Sequence, residues 1–85
     1  KPNFSVKTKD DLLREKREFA TRIAKRLKEL RKSKLLTQEQ LAFKAGYSRN
    51  VIGNFEQAVN SPTAHTLWRL AAALEVEPAD FFKGI

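Results

Sequence analysis

Residues 37–57 read TQEQLAFKAGYSRNVIGNFEQ, and no other stretch narrows the possible folds so sharply. Thr37 can accept a hydrogen bond from a first-turn amide while Gln40 reaches back to the Thr37 amide, the reciprocal arrangement of a capping box. Leu41, Ala42 and Ala45 then give a small apolar face, and Gly46 stands where a left-handed residue ends a helix without a steric penalty. Ser48 is a second helix cap, and the helix it opens has room for Arg49 to about Gln57. A capped helix, a turn containing glycine and another capped helix form the helix-turn-helix plan.

At about 100° per residue, the second of these helices divides unevenly. Ile52 and Phe55, with Val51 at the margin, make one side, and Arg49, Asn50, Gly53, Asn54 and Gln57 make the other. The polar side lacks the Glu and Lys that ordinarily fill a solvated helix face. Arg can donate two hydrogen bonds to guanine O6 and N7, and Asn or Gln can donate and accept at adenine N6 and N7. Gly53 costs a helix interior about 1 kcal/mol relative to Ala, and its missing side chain would let the backbone approach a groove. The residues alone leave open an ordinary solvent-facing helix with a tolerated glycine.

The rest of the chain predicts further helices and no strand. Residues 1–9 lack helical periodicity at their start, carry a proline and read as a flexible basic arm; 10–85 read as one domain. Thr8 and Asp11 resemble a capping box. From there Leu12, Leu13, Phe19, Ala20, Ile23, Leu27 and Leu30 mark a long helix to about Ser33, with the charged stretch before Phe19 a separate turn or a projecting end. Thr63 caps a fourth helix carrying Leu67, Leu70, Ala71 and Leu74, and Pro78 opens a short fifth. The expected architecture is all-α: a compact five-helix domain with the helix-turn-helix in helices 2 and 3.

Composition removes several functional classes. With no cysteine, disulfides and thiolate metal sites are excluded, and a single histidine argues against a histidine-based metal site. No apolar run approaches the roughly 20 residues that cross a bilayer, and no apolar segment follows the basic start as a signal peptide requires. No Walker loop, GxGxxG or supported Ser-His-Asp set is present, and Glu56, Glu75, Glu77 and Asp80 fall at caps or helix ends. Neither an enzyme nor a cofactor is expected. The net charge of +7 suits an anionic partner, and it is uneven. Residues 1–36 hold thirteen Lys or Arg against five Asp or Glu, whereas 37–85 hold four against five.

From about Ala20 to Ile85, including RIAKRLKELRKSKLLTQEQLA before the motif and SPTAHTLWRLAAALEVEPADFF around its far side, the chain resembles the xenobiotic-response-element, or lambda-repressor-like, DNA-binding domains. The resemblance implies a transcription regulator that lays the 48–57 helix in the major groove. It implies base contacts from Arg49, Asn50, Asn54 and Gly53. It implies a phosphate contact from Gln38 beside the helix-2 amides, an anion site in its own right, with Thr37, Ser48, Gln57 and Asn60 also expected near the backbone. Arg31 and Glu56 match a structural ion pair. The chain departs from the pattern at Leu35 and Ala58, where glycine is usual, and at Val59 and Asn60, where a basic residue is usual. Ala accepts a left-handed turn less readily than Gly, so the loop after the recognition helix is expected to differ. Lys7, Lys9, Arg31, Lys32 and Lys34 are the candidates to make up for the absent basic residues at the phosphates.

Such proteins commonly pair to read two half-sites about 34 Å apart. A homodimer on a two-fold symmetric double-stranded operator is therefore expected, with Phe82 and Ile85 its candidate interface residues. Trp68 and Phe81 are expected in the core, and His65 at or near the surface without chemistry. The full expectation is a cytoplasmic repressor with no membrane partner, no metal and no small-molecule ligand within this chain. The alternative is an antitoxin-like or adaptor module using the same fold, with the segment from Asp10 to Glu18 as its docking surface.

Overall fold

The computed structural model describes residues 7–84, so the arm before Lys7 and the expected interface residue Ile85 lie outside the described residues. Four α-helices and one 3₁₀ helix follow in order: α1 Lys9–Ser33, α2 Gln38–Ala45, α3 Arg49–Glu56, α4 Ala64–Leu74, and a 3₁₀ helix over Pro78–Phe82. The all-α architecture is as expected, but the fifth element is a 3₁₀ helix. Its five residues include Pro78 and are too few to establish a run of α-type bonds. Lys9, assigned above to the arm, is the first residue of α1, because Thr8 and Asp11 close the capping box around it. The third helix is also one residue shorter at its end, with Gln57 as its cap.

A continuous apolar core fills the angle between the helices. Ile23, Leu27 and Leu30 of α1 meet Leu41, Ala42 and Ala45 of α2, Ile52 of α3, and Leu67, Leu70, Ala71 and Leu74 of α4. Phe81 plugs the far end and is fully buried. The guanidinium of Arg26 ties that end to α1 by donating to the Asp80 carbonyl at 2.6 Å. Trp68 corrects the core reading: it is 62% exposed. It follows Leu67 directly, so the helix turns it about 100° away from the buried stripe.

All four helices stop in the same way. A residue in left-handed conformation donates back to the carbonyl three residues earlier, and its successor donates to the carbonyl five residues earlier, the Schellman arrangement. The left-handed residues are Leu35 (φ 58°), Gly46 (81°), Ala58 (59°) and Glu75 (59°). The backbone bonds include Leu36 N–H to Arg31 at 3.2 Å, Tyr47 N–H to Ala42 at 2.9 Å, Val59 N–H to Asn54 at 2.9 Å and Val76 N–H to Ala71 at 3.0 Å. The loop after α3 therefore keeps the left-handed turn that the alanine was expected to disturb. The surrounding packing and hydrogen bonds outweigh a strain of about 1–2 kcal/mol.

Candidate nucleic-acid interface

Two caps fix where α2 and α3 begin. Thr37 Oγ1 accepts from the Gln40 amide at 3.0 Å, and Gln40 Oε1 accepts from the Thr37 amide at 2.9 Å. Ser48 Oγ accepts from the Val51 amide at 3.3 Å. The corner between them is locked by a residue that the sequence pattern does not single out. Arg69 of α4 donates from Nη2 to the Ala45 carbonyl at 2.6 Å, and its guanidinium lies 5.2 Å from the centre of the Tyr47 ring. A Cβ at Gly46 would come within 2.5 Å of that same nitrogen and push the guanidinium off the Ala45 carbonyl, and glycine takes the left-handed angle there (φ 81°) without strain. Nothing in the local sequence around Arg69 signals a carbonyl 24 residues away.

With the corner fixed, α3 turns Ile52 and Glu56 inward and presents Arg49 and Asn50 to solvent, with Gly53 and Asn54 partly open between neighbouring elements. These four residues share one side of the helix at about 100° per residue. A Cβ built at Gly53 meets only Gln38 Oε1, at 3.8 Å, an ordinary van der Waals distance. The fold itself therefore has room for alanine there. Gln57 is exposed at the end of the same side, and Asn60 is exposed in the following loop with its amide 3.5 Å from the Asn54 carbonyl. Lys32 and Lys34 are exposed where α1 ends, next to the start of α2.

Behind this face lies a charged network. Arg31 donates to both oxygens of Glu56, at 2.6 Å from Nε and 3.0 Å from Nη2, and to the Leu36 carbonyl at 2.8 Å. Glu56 is only 5% exposed. Burial works against its charged form, but the Arg31 hydrogen bonds, then the Gln38 hydrogen bond and the Arg31 charge, outweigh it and hold the carboxyl below the ordinary carboxylate range. Arg31 is moved the other way, up, chiefly by the bond to Glu56.

This network engages two of the residues expected near the phosphates. Arg31 is held by Glu56 and Leu36. Gln38 turns its side chain inward and donates from Nε2 to Glu56 Oε1 at 3.1 Å. What it offers outward at the start of α2 is its backbone amide, one of the first-turn N–H groups that have no partner inside a helix. Among the described residues no group of His, Asp or Glu has metal-site spacing, and no helix is long and apolar enough to cross a membrane.

The outlying aromatics pair off. Phe82 stacks on Phe19 with ring centres 6.1 Å apart, and Trp68 stacks on His65 at 6.1 Å, both pairs on the surface.

Comparison with known proteins places this geometry among relatives. The model of the helix-turn-helix family HTH_3 matches residues 27–81. An uncharacterized HTH-type transcriptional regulator, y4dJ, of Sinorhizobium fredii is 40% identical over 47 residues, which is 55% of this chain and 61% of that protein. The crystal structure of an HTH_3 family transcriptional regulator from Vibrio cholerae superposes with a TM-score of 0.76 at 39% identity, over 79% of this chain and 38% of the other. The restriction-modification controller protein C.AhdI from Aeromonas hydrophila superposes with a TM-score of 0.72 at 36% identity, over 74% of this chain and 96% of the controller. The chain thus spans less than two thirds of the first two relatives and nearly all of the third.

Proposed function

Because the chain belongs to the helix-turn-helix family of transcriptional regulators, a family of regulators and not of enzymes, we propose that it binds double-stranded DNA sequence-specifically and acts as a repressor. In this reading α3 enters the major groove. Arg49, Asn50 and Asn54 meet base edges, and Gly53 allows close approach. The amides at the start of α2, with Thr37, Ser48, Gln57, Asn60, Lys32 and Lys34, hold the phosphates. Two copies sit on a two-fold symmetric operator, with Phe82 near the contact between them. The likeness to a restriction-modification controller supports a regulatory role for a domain of this size.

One observation carries the reading. The three hydrogen-bonding side chains share an open side of α3 around a glycine that the protein's own packing does not require. Selection of bound sequences from a random duplex pool tests it. A two-fold symmetric consensus is the expected result, and recovery of the starting pool unchanged would refute it.

A second reading, a protein-binding module of the antitoxin or adaptor kind, draws on the exposed Leu12 and Leu13 between Asp10 and Glu18. It predicts a copurifying partner and no salt-sensitive DNA binding.

A further inference from the structure

The helix that carries Arg49, Asn50 and Asn54 has little packing of its own to aim it. α3 is eight residues long, and only Ile52 and Glu56 among them are buried. Its last turn is held by the two bonds from Arg31 of α1 to Glu56. Its first turn follows directly from the corner at Gly46 and Tyr47, and there the tie comes from α4. We propose that Arg69 is a positioning residue for base reading: its guanidinium fixes the corner and so aims the first turn of α3, with Arg49 and Asn50, at the groove. This role deepens the DNA reading given above and rests on it.

The corner calls for a cation. The last four carbonyls of a helix have no partner within it. In α2 the Ala42 carbonyl accepts from the Gly46 and Tyr47 amides, at 2.9 Å each. The Ala45 carbonyl stands at the negative end of that helix, and Arg69 Nη2 meets it at 2.6 Å. The same guanidinium lies 5.2 Å from the Tyr47 ring centre, inside the roughly 6 Å of a cation–π contact. One group thus holds residues on both sides of Gly46, in the space that a side chain at 46 would fill. Tyr47 in turn packs on the core, so the cation ties the turn to the body of the domain. Arg69 makes no ion pair among the described residues, and no acid there competes with the corner for it. α4 packs broadly against α2 and the 3₁₀ helix and not against α3, so Arg69 is its means of acting on the reading helix.

The two ends of α3 therefore answer to different arginines. Loss of Arg69 frees the first turn while Arg31 still holds the last. A side chain that contributed only to overall stability would leave no such difference between the two ends.

Binding of the full chain to the selected duplex and to its single-base-pair variants tests this with Arg69→Leu, at a temperature where circular dichroism shows every variant folded. Affinity should fall about ten- to a hundredfold, since binding must re-form the corner without a charge-assisted hydrogen bond. The salt slope should match that of the wild type, because no phosphate contact is lost. Discrimination should fall at the base pairs that Arg49 and Asn50 read and hold at the one that Asn54 reads. Tyr47→Phe keeps the ring face and should keep the affinity. Ala72→Gly, at an exposed position of the same helix, lowers stability through helix propensity and should leave the affinity unchanged. In the free protein, the Gly46 and Tyr47 amides should exchange faster in Arg69→Leu, relative to those of Leu27 and Leu30.

A salt slope lower by about one unit would make Arg69 a phosphate contact instead. An equal loss of affinity in Ala72→Gly, or a loss of discrimination spread evenly over the three positions, would reduce Arg69 to a matter of overall stability. Unchanged exchange at Gly46 and Tyr47 would show that the corner does not depend on it. Each of these overturns the positioning role and leaves the DNA reading intact. A wild type that binds every duplex alike overturns the DNA reading and this role together, a result that is distinct because it needs no variant.

Discussion

Glu56 shows how one residue ties the candidate interface to the stability of the fold. Its carboxylate is buried against Arg31 and Gln38 and titrates below the ordinary range. A group whose folded pKa lies below its unfolded value stabilises the protein above the unfolded value, near 4.3 for Glu, and that contribution disappears as pH falls through the folded value. Acid unfolding of the wild type should therefore steepen below about pH 4. Glu56→Gln should remove that steepening and cost about 3–5 kcal/mol at neutral pH, because Arg31 is left buried without its counter-charge. Chemical denaturation across pH checks both. Gly53 works in the opposite sense. Gly53→Ala should raise stability by about 1 kcal/mol through helix propensity, since a Cβ there meets only Gln38 at an ordinary distance. The same substitution should weaken specific DNA binding. A variant that gains stability and keeps full affinity would leave the glycine without the role given to it.

At the level of elements, the four helix ends carry the most direct prediction. Leu35 and Ala58 hold left-handed backbone that glycine adopts without strain. Leu35→Gly and Ala58→Gly should each raise the unfolding free energy by about 0.5–1 kcal/mol, the strain relief exceeding the added freedom of the unfolded chain. Thermal unfolding of the single and double variants reads this out, and a loss of stability at either site would contradict it. These same ends show what is legible in the sequence. Thr8, Thr37, Ser48 and Thr63 announce the helix starts because capping is local chemistry, and the apolar spacing gives the core face of each helix. The outer side of α3 is readable because Ile52 and Phe55 fix the orientation of everything between them. Trp68 is misplaced when aromatic character is weighed above its position beside Leu67. The engagement of Gln38 with Glu56 and of Arg69 with Ala45 is not readable, since each joins groups 18 or more residues apart whose meeting depends on how the helices pack. The left-handed angles at Leu35 and Ala58 are not readable from those residues, since neither prefers them; only the resemblance, with glycine usual at both places, points to them, and the completed hydrogen bonds impose them.

For the whole molecule, charge and shape act together. The chain is elongated, 40 × 23 × 20 Å, with α1 along its length and most of the positive charge on that helix, while α3 carries one Arg and one Glu. In the proposed reading, backbone attraction and base reading thus fall to different parts of the surface. Lys32→Ala with Lys34→Ala should lower affinity similarly on all duplexes and reduce the salt slope by about one unit for each phosphate that is no longer neutralised. Unchanged affinity and slope in a salt titration would remove both residues from the interface. The decisive comparison is between the wild type and Arg49→Ala on the selected duplex and on a set of its single-base-pair variants. Direct reading by α3 predicts a loss of about 1–3 kcal/mol on the selected duplex, with discrimination abolished at one base pair of each half-site and kept at the others. A loss of the same size on every duplex would show that Arg49 contributes only charge, and the proposed reading head would have to lie elsewhere.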